Sequence, residues 1–277
     1  MLKVALSHDI DRVYKHHQYL TKSIAHLIRL NGKGFINQLK SIGDQRPYWT
    51  FDQLIEMEEN FNVRSTFFFL NESIKLNPFS LNSYKLSLGR YNVLDPEIAQ
   101  TIRYLDKNGW EIGVHGSYNS YKDSKLLTIE KKTLEMIVGH PIIGIRQHYL
   151  NLNDNTWQIQ NDVGFKYDSS WGFTNDIGFR NNRYTPFRPL SNDFKVIPLT
   201  LMDSCFMAKP NKWDEYEKLL DKCELTGAVM VINFHQHVFY EHDFPGYKEA
   251  YIKLIKRAIK RCAKFYTLSQ VFAGASL

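Results

Sequence analysis

Residues 2–13 read LKVALSHDIDRV. A mostly apolar run, Leu2-Lys3-Val4-Ala5-Leu6, passes without a break into Ser7, His8, Asp9 and Asp11. The run predicts a core strand, and a core strand gains nothing from two carboxylates at its end. Each is costly to bury unless it is paired or coordinates a cation. The plain alternative is that the strand has ended and the acids stand in water. The rest of the chain decides between the two.

Short apolar runs alternate with helical stretches along the whole sequence. Strands are predicted over 3–6, 65–70, 111–114, 142–146, 195–198, 229–234 and 265–268. Helices are predicted over 24–39 (imperfect), 50–60, 96–108, 128–138, 154–162, 212–223 and 246–262. Pro96 suits a first helical position and Gly109 a helix stop. Runs such as TFFFL and VMVINF are apolar throughout, as expected of parallel strands buried on both faces. The class is therefore α/β, as a barrel or an open doubly wound sheet. In either, ligands gather at the carboxyl ends of the strands. Those ends carry His8, Asp9 and Asp11; then His115, Ser117, Tyr118 and Asn119; then Arg146, His148 and Tyr149; then Asp168 and Trp171; then His235 and His237. Scattered surface polarity would not choose the same end of each element.

The bulk numbers agree. A chain of 277 residues with 43% hydrophobic content fits a single barrel domain spanning 1–277. The first apolar run is too short for a signal peptide or a membrane span. Cys205, Cys223 and Cys262 form no close pair, which suits free thiols in a reducing compartment, so a cytoplasmic protein is expected. The net charge of +6 is concentrated at 12–40 and on the predicted helix near 248–264. A solvated helix face accounts for the latter; attraction to an acidic glycan or peripheral contact with an anionic membrane is the functional alternative. No nucleic-acid-binding signature is present. The sequence leaves the oligomeric state open.

Asp9 and Asp11 are expected to face opposite sides of the chain end, one toward a metal and the other toward substrate. His115 and Asn119, four apart, would share a face if the loop made a helical turn. A carboxylate, an imidazole and one more ligand with open positions describe a catalytic zinc-type site, which acidifies water and polarises a carbonyl. A second carboxylate would take the water's proton, a histidine would protonate the leaving amine, and an arginine would hold the base ionised. Hydrolysis of a small acyl group from an amine or alcohol is the reaction class these groups suit.

Six segments in order resemble motifs of the polysaccharide deacetylase family of NodB-homology carbohydrate esterases: SHDID, STFFFL, GWEIGVHGSYNS, GIRQHYL, YDSSWGF and INFHQH. The resemblance covers residues 1 to about 240 and implies a distorted (β/α) barrel of about seven parallel strands that removes acetyl groups from sugars with a divalent metal. It implies Asp9 as general base, with Arg146 tuning it. Asp11, His115 and Asn119 become the metal set, zinc first, with cobalt or nickel as alternatives. It further implies Tyr149 as a backbone oxyanion donor, Trp171 as a wall of the acetyl pocket, and His235 as general acid tuned by Asp168. His237 shares a predicted face with His235 and competes for that role. The family commonly has a second histidine where Asn119 stands, so His8, His148 or His237 could replace it. Arg180 or Arg183, in the polar stretch 178–189, could touch a sugar, and Asp203 is a weaker candidate. The substrate expected is an acetylated sugar or glycan precursor in surface polysaccharide assembly. The alternatives are a metal-free or differently metallated amidohydrolase or deformylase, and a sugar-binding pseudoenzyme.

Overall fold

Strand β1 (Lys3–Ile10) has Val4, Leu6, His8 and Ile10 on one side and Ala5, Ser7 and Asp9 on the other, and both sides are buried. That double burial explains its continuous apolar start and fixes the architecture. The computed structural model describes residues 1–274 except 29, 76, 78, 80, 88 and 89. Among them, β1 is followed by β2 (Thr66–Leu70), β3 (Glu111–Gly116), β4 (Gly144–Gln147), β5 (Tyr167–Asp168), β6 (Lys195–Val196), β7 (Leu201–Met202), β8 (Val229–Asn233) and β9 (Lys264–Tyr266). The sheet runs β6-β5-β4-β3-β2-β1-β8-β7, all parallel, and β9 pairs with β1. One edge of β1 is shared: β9 takes Lys3–Ala5 and β2 takes Ser7–Ile10.

The curled sheet has two cores. Outside it, under the helices, lie Val4, Leu6, Phe67, Phe69, Val114, Ile145 and Ile232. Inside it lie Ala5, Phe68, Tyr167, Val229 and Val231. The sheet is open between β6 and β7, whose ends are joined by residues 197–200. The expected distorted barrel is present. Two-residue strands β5 and β7 had no apolar run long enough to announce them. The single imperfect helix predicted over 24–39 is two helices, Gln18–Ile28 and Gly32–Lys40, divided near Asn31, whose side chain caps the second; residue 29 lies outside the described set. Helices Leu81–Ser87, Asp203–Ala208 and Leu268–Ala273 were not anticipated.

His8 points away from the barrel interior. Its Nε2 lies 2.8 Å from Glu58 Oε1, on the helix Phe51–Asn60, and its Nδ1 lies 2.7 Å from the Phe234 carbonyl. Glu58 also accepts from Tyr251 OH (2.7 Å), Ser65 Oγ (2.9 Å) and Trp110 Nε1–H (2.6 Å). One buried carboxylate thus ties β1 to a covering helix, and His8 is unavailable to a metal. Removing one partner of a buried hydrogen-bonded ion cluster strands the others. Glu58→Ala is therefore expected to lower unfolding stability by about 3–5 kcal/mol, read by urea denaturation. Glu58→Gln is expected to lose less.

Candidate active site

The carboxyl ends of β1, β3, β4 and β8 open into one cavity of about 260 Å³, whose lining includes Asp9, Asp11, His115, Gln147, His148, Tyr149 and His235. A wider groove between the helices Phe51–Asn60 and Pro96–Lys107, lined by Arg46, Trp49, Glu56 and Tyr104, carries none of these groups. Asp9 and Asp11 line the same cavity, contrary to the expectation of opposite sides. Side chains alternate along a strand with period two, so residues two apart share a face.

Arg146 is fully buried on β4 and is held by every side of the barrel mouth. Its Nη1–H groups donate to Asp9 Oδ1 (2.9 Å), Ser7 Oγ (2.8 Å) and Asn233 Oδ1 (2.8 Å). Its Nε–H and Nη2–H donate to the Ser169 carbonyl and hydroxyl, each at 3.0 Å. The other Asp9 oxygen accepts from Asn233 Nδ2–H at 2.9 Å. Burial alone would raise the Asp9 pKa, but Arg146, then His115 and His235, hold it below the ordinary carboxylate value. Asp9 is thus an ionised carboxylate with a fixed orientation.

Asp11 meets three imidazoles. Its Oδ1 lies 3.2 Å from His115 Nε2, and its Oδ2 lies 3.7 Å from His148 Nε2 and 3.6 Å from His235 Nε2. His115 Nδ1–H donates to the Arg146 carbonyl at 2.9 Å. That bond fixes the tautomer and leaves Nε2 free as a ligand. Ligand atoms of Asp11, His115 and His148 all lie within 4.8 Å of one another, so they can hold a divalent cation. Asp11 Oδ1 is buried without a hydrogen-bond partner, which fits a donor built for an ion. Burial opposes charge on Asp11, yet His148, His235 and His115 together hold its pKa well below the ordinary value.

His235 stands opposite. Its Nδ1–H donates to Asp203 Oδ2 at 2.9 Å, and its backbone N–H donates to the same oxygen at 2.7 Å. Burial would lower the His235 pKa, but Asp203 and then Asp11 push it up to about 10. His235 is therefore an imidazolium aimed at Asp11.

Several sequence-based roles move. Asn119 does not line the cavity, because the strand continues past His115 through Gly116 and the chain forms a 3-10 turn only at Ser120–Lys122. No helical turn places 115 and 119 on one face; His148 completes the cluster instead. Asp168 does not touch His235. It lies one residue out of phase with Ser169, which reaches Arg146, and it accepts from Ser170 N–H (2.9 Å), Ser170 Oγ (2.6 Å) and Gln160 Nε2–H (3.0 Å). Asp203 occupies the place against His235 that was expected of Asp168. Trp171 and Arg180 also stand away from the cavity: the guanidinium lies 4.2 Å over the indole, which packs against Trp157 and Phe187. They secure the 178–189 stretch. Arg183, the other arginine weighed there, likewise lies over the Phe187 ring at 5.1 Å. His237 sits between the Tyr48 and Phe244 rings, and burial holds its pKa well below the ordinary value, so it is neutral. Tyr149 lines the cavity with a left-handed backbone (φ 58°), a strained conformation found often at functional sites. Sequence reading missed Ser7, Asn233 and Ser169, which bear no charge.

Residues 96–250 match the family model described as WbmS-like polysaccharide deacetylase. Among solved structures, a Mycobacterium smegmatis protein described as a polysaccharide deacetylase shares 18% identity at a TM-score of 0.62, over 98% of this chain and 89% of its own. A Pseudomonas aeruginosa protein described in the same terms shares 14% at 0.59, over 98% and 90%. PuuE allantoinase shares 13% at 0.60, over 98% and 89%. No curated protein sequence matches the chain.

The Asp203–His235 pair has a measurable signature. In metal-free protein, His235 carries its proton up to about pH 10. Asp203→Asn removes the nearest negative charge, so the imidazolium is lost at lower pH. A downward shift of more than about one unit is expected in the His235 NMR titration.

Proposed function

The chain belongs to the polysaccharide deacetylase family, WbmS-like, a family of amide-bond hydrolases, and from that premise we propose that it removes an acetyl or similar small acyl group from an amino sugar of a polysaccharide precursor, using a divalent cation at Asp11, His115 and His148. One observation carries the reading: an ionised carboxylate, a carboxylate–imidazole cluster and an imidazolium share one cavity of about 260 Å³. That volume suits an acyl group and part of one sugar ring, with the remaining glycan outside.

A cation bound there supplies a Lewis acid that polarises the acyl carbonyl and acidifies water, and the mixed nitrogen and oxygen donors suit zinc first. Asp9 takes the proton of the attacking water; Arg146 and Asn233 hold its two oxygens for that step. His235 gives its proton to the leaving amine, and Asp203 keeps it charged until then. Tyr149, on the cavity wall, offers its backbone N–H to the oxyanion. A sugar-binding protein without turnover has no use for a base and an acid each fixed by its own buried counter-ion. The three cysteines are unpaired, which supports a reducing, cytoplasmic setting for surface-glycan assembly.

Metal analysis of protein purified without chelator tests the assignment. About one equivalent of zinc, cobalt or nickel is expected, lost in Asp11→Ala and His148→Ala and retained in Asn119→Ala. Asp9→Ala is expected to keep the metal and lose at least about 100-fold in kcat on an N-acetylated amino sugar. Parent-level turnover in Asp9→Ala, or a metal that His148→Ala leaves in place, would overturn these roles.

A further inference from the structure

The stretch between Asp11 and Asp44 is built inside out. Its helices, Gln18–Ile28 and Gly32–Lys40, pack on each other and present their polar side to the protein. Lys15 Nζ, fully buried, donates to Asp243 Oδ1 (2.9 Å), Gln38 Oε1 (3.0 Å) and Ser41 Oγ (2.9 Å). Gln38 Nε2–H and Tyr48 OH complete the shell around Asp243.

The apolar side faces outward. Leu20, Ile24, Leu27 and Ile28 recur at helical spacing with exposures of 66, 45, 55 and 77%. Leu30, Ile36, Leu39 and Ile42 extend the surface at 94, 52, 52 and 65%. Scattered single exposed apolar residues need no explanation, but these eight fall within 23 consecutive positions of a 277-residue chain.

Charge selects the occupant. Between Asp11 and Asp44 there are six Lys and Arg residues and no Asp or Glu. The chain has 35 Lys and Arg against 29 Asp and Glu, an excess equal to this segment's six; Lys15 and Lys22 are paired with Asp243 and Arg12 lines the cavity, so Lys33 and Lys40 are the exposed cations of the face among the described residues. A second copy docked here about a two-fold axis would set cation against cation. An apolar helix face bordered by cations matches an anionic lipid surface. We propose that the 18–42 hairpin docks on anionic membranes, its leucines and isoleucines entering the headgroup boundary and Lys33 and Lys40, both exposed, meeting lipid phosphates.

The docking face lies beside the cavity mouth. The chain enters the hairpin directly from Asp11 and Arg12, which line the cavity, and Asp243 clamps it to the loop that follows His235 and the 3-10 turn Gln236–Phe239. A docked molecule therefore holds its catalytic cavity at the lipid surface. If the cavity deacetylates sugars, as proposed above, its substrate is a membrane-anchored glycan precursor; that clause rests on the functional reading, while lipid binding does not.

Vesicle flotation with the full chain tests the docking. The protein is expected to float with phosphatidylcholine–phosphatidylglycerol vesicles and at least ten-fold less with phosphatidylcholine alone. Leu20→Ser/Leu27→Ser/Ile28→Ser is expected to lose at least ten-fold in partition with unchanged Tm and unchanged turnover of a soluble N-acetylated amino sugar. Lys33→Glu/Lys40→Glu is expected to weaken binding and flatten its salt dependence. Absence of flotation with anionic vesicles overturns the proposal. So does flotation that the triple variant retains, or a dimer that the triple variant splits without any vesicle binding. Vesicle binding in a protein inactive on every acetylated sugar supports the docking and strikes the functional reading alone.

Discussion

A guanidinium with no exposed surface sets the geometry of the barrel mouth. Burying a cation is tolerable only when its N–H groups are met and a counter-ion is close. Arg146 satisfies this by reaching Ser7 and Asp9 on β1, Asn233 on β8 and Ser169 just past β5. Four elements far apart in sequence must stand in one register for those bonds to form together. The same residue acts a second time through its backbone, since its carbonyl receives the His115 Nδ1 proton. One position therefore orients the Asp9 carboxylate and the His115 imidazole, so displacement of β4 would disturb both. Arg146 also lies 4.6 Å over the inward Phe68 ring, which separates this polar layer from the apolar interior below.

The architecture was legible because both faces of the strands are buried. Such strands are apolar throughout, and the first run of polar residues marks their carboxyl ends. What the sequence did not display was phase. Within SHDID, His8 and Asp9 are neighbours, yet one is bonded to Glu58 under a helix and the other to Arg146 inside the barrel. The same one-residue offset separates Asp168, turned to Gln160, from Ser169, turned to Arg146. A motif fixes which residues are present at a strand end; pairing in the sheet fixes which of them see the cavity.

The remaining misreadings have a second cause, which is chain that is neither regular strand nor long helix. Asn119 was placed by assuming a helical turn where the chain continues as strand through Gly116. Asp203 follows a two-residue strand whose pattern is too short to recognise, so the partner of His235 was sought elsewhere. Trp171 and Arg180 carried chemically suggestive side chains, and the structure uses them on each other. Gly116 shows the same dependence on packing: a Cβ there would run into the end of the Gln147 side chain, which would have to move aside.

Charge balance within the cavity gives the arrangement its direction. Asp9, Asp11 and Asp203 bring three carboxylates, met by the Arg146 guanidinium and the His235 imidazolium. Asp9 is paired with Arg146 and Asp203 with His235, while Asp11 keeps one oxygen with no hydrogen-bond partner. In a cavity of low dielectric such an unmet oxygen is costly, and the nearest groups that could offset it are the nitrogens of His115 and His148. That cluster can be satisfied by a proton on an imidazole or by a cation. A proton would block the His115 nitrogen and abolish the ligand set that the Arg146 carbonyl has prepared. On the function proposed above, a dication would meet all three donors and turn the local charge positive, the sign that favours a developing oxyanion. The residues that would hold that cation are thus the same ones that the proposed acyl transfer needs.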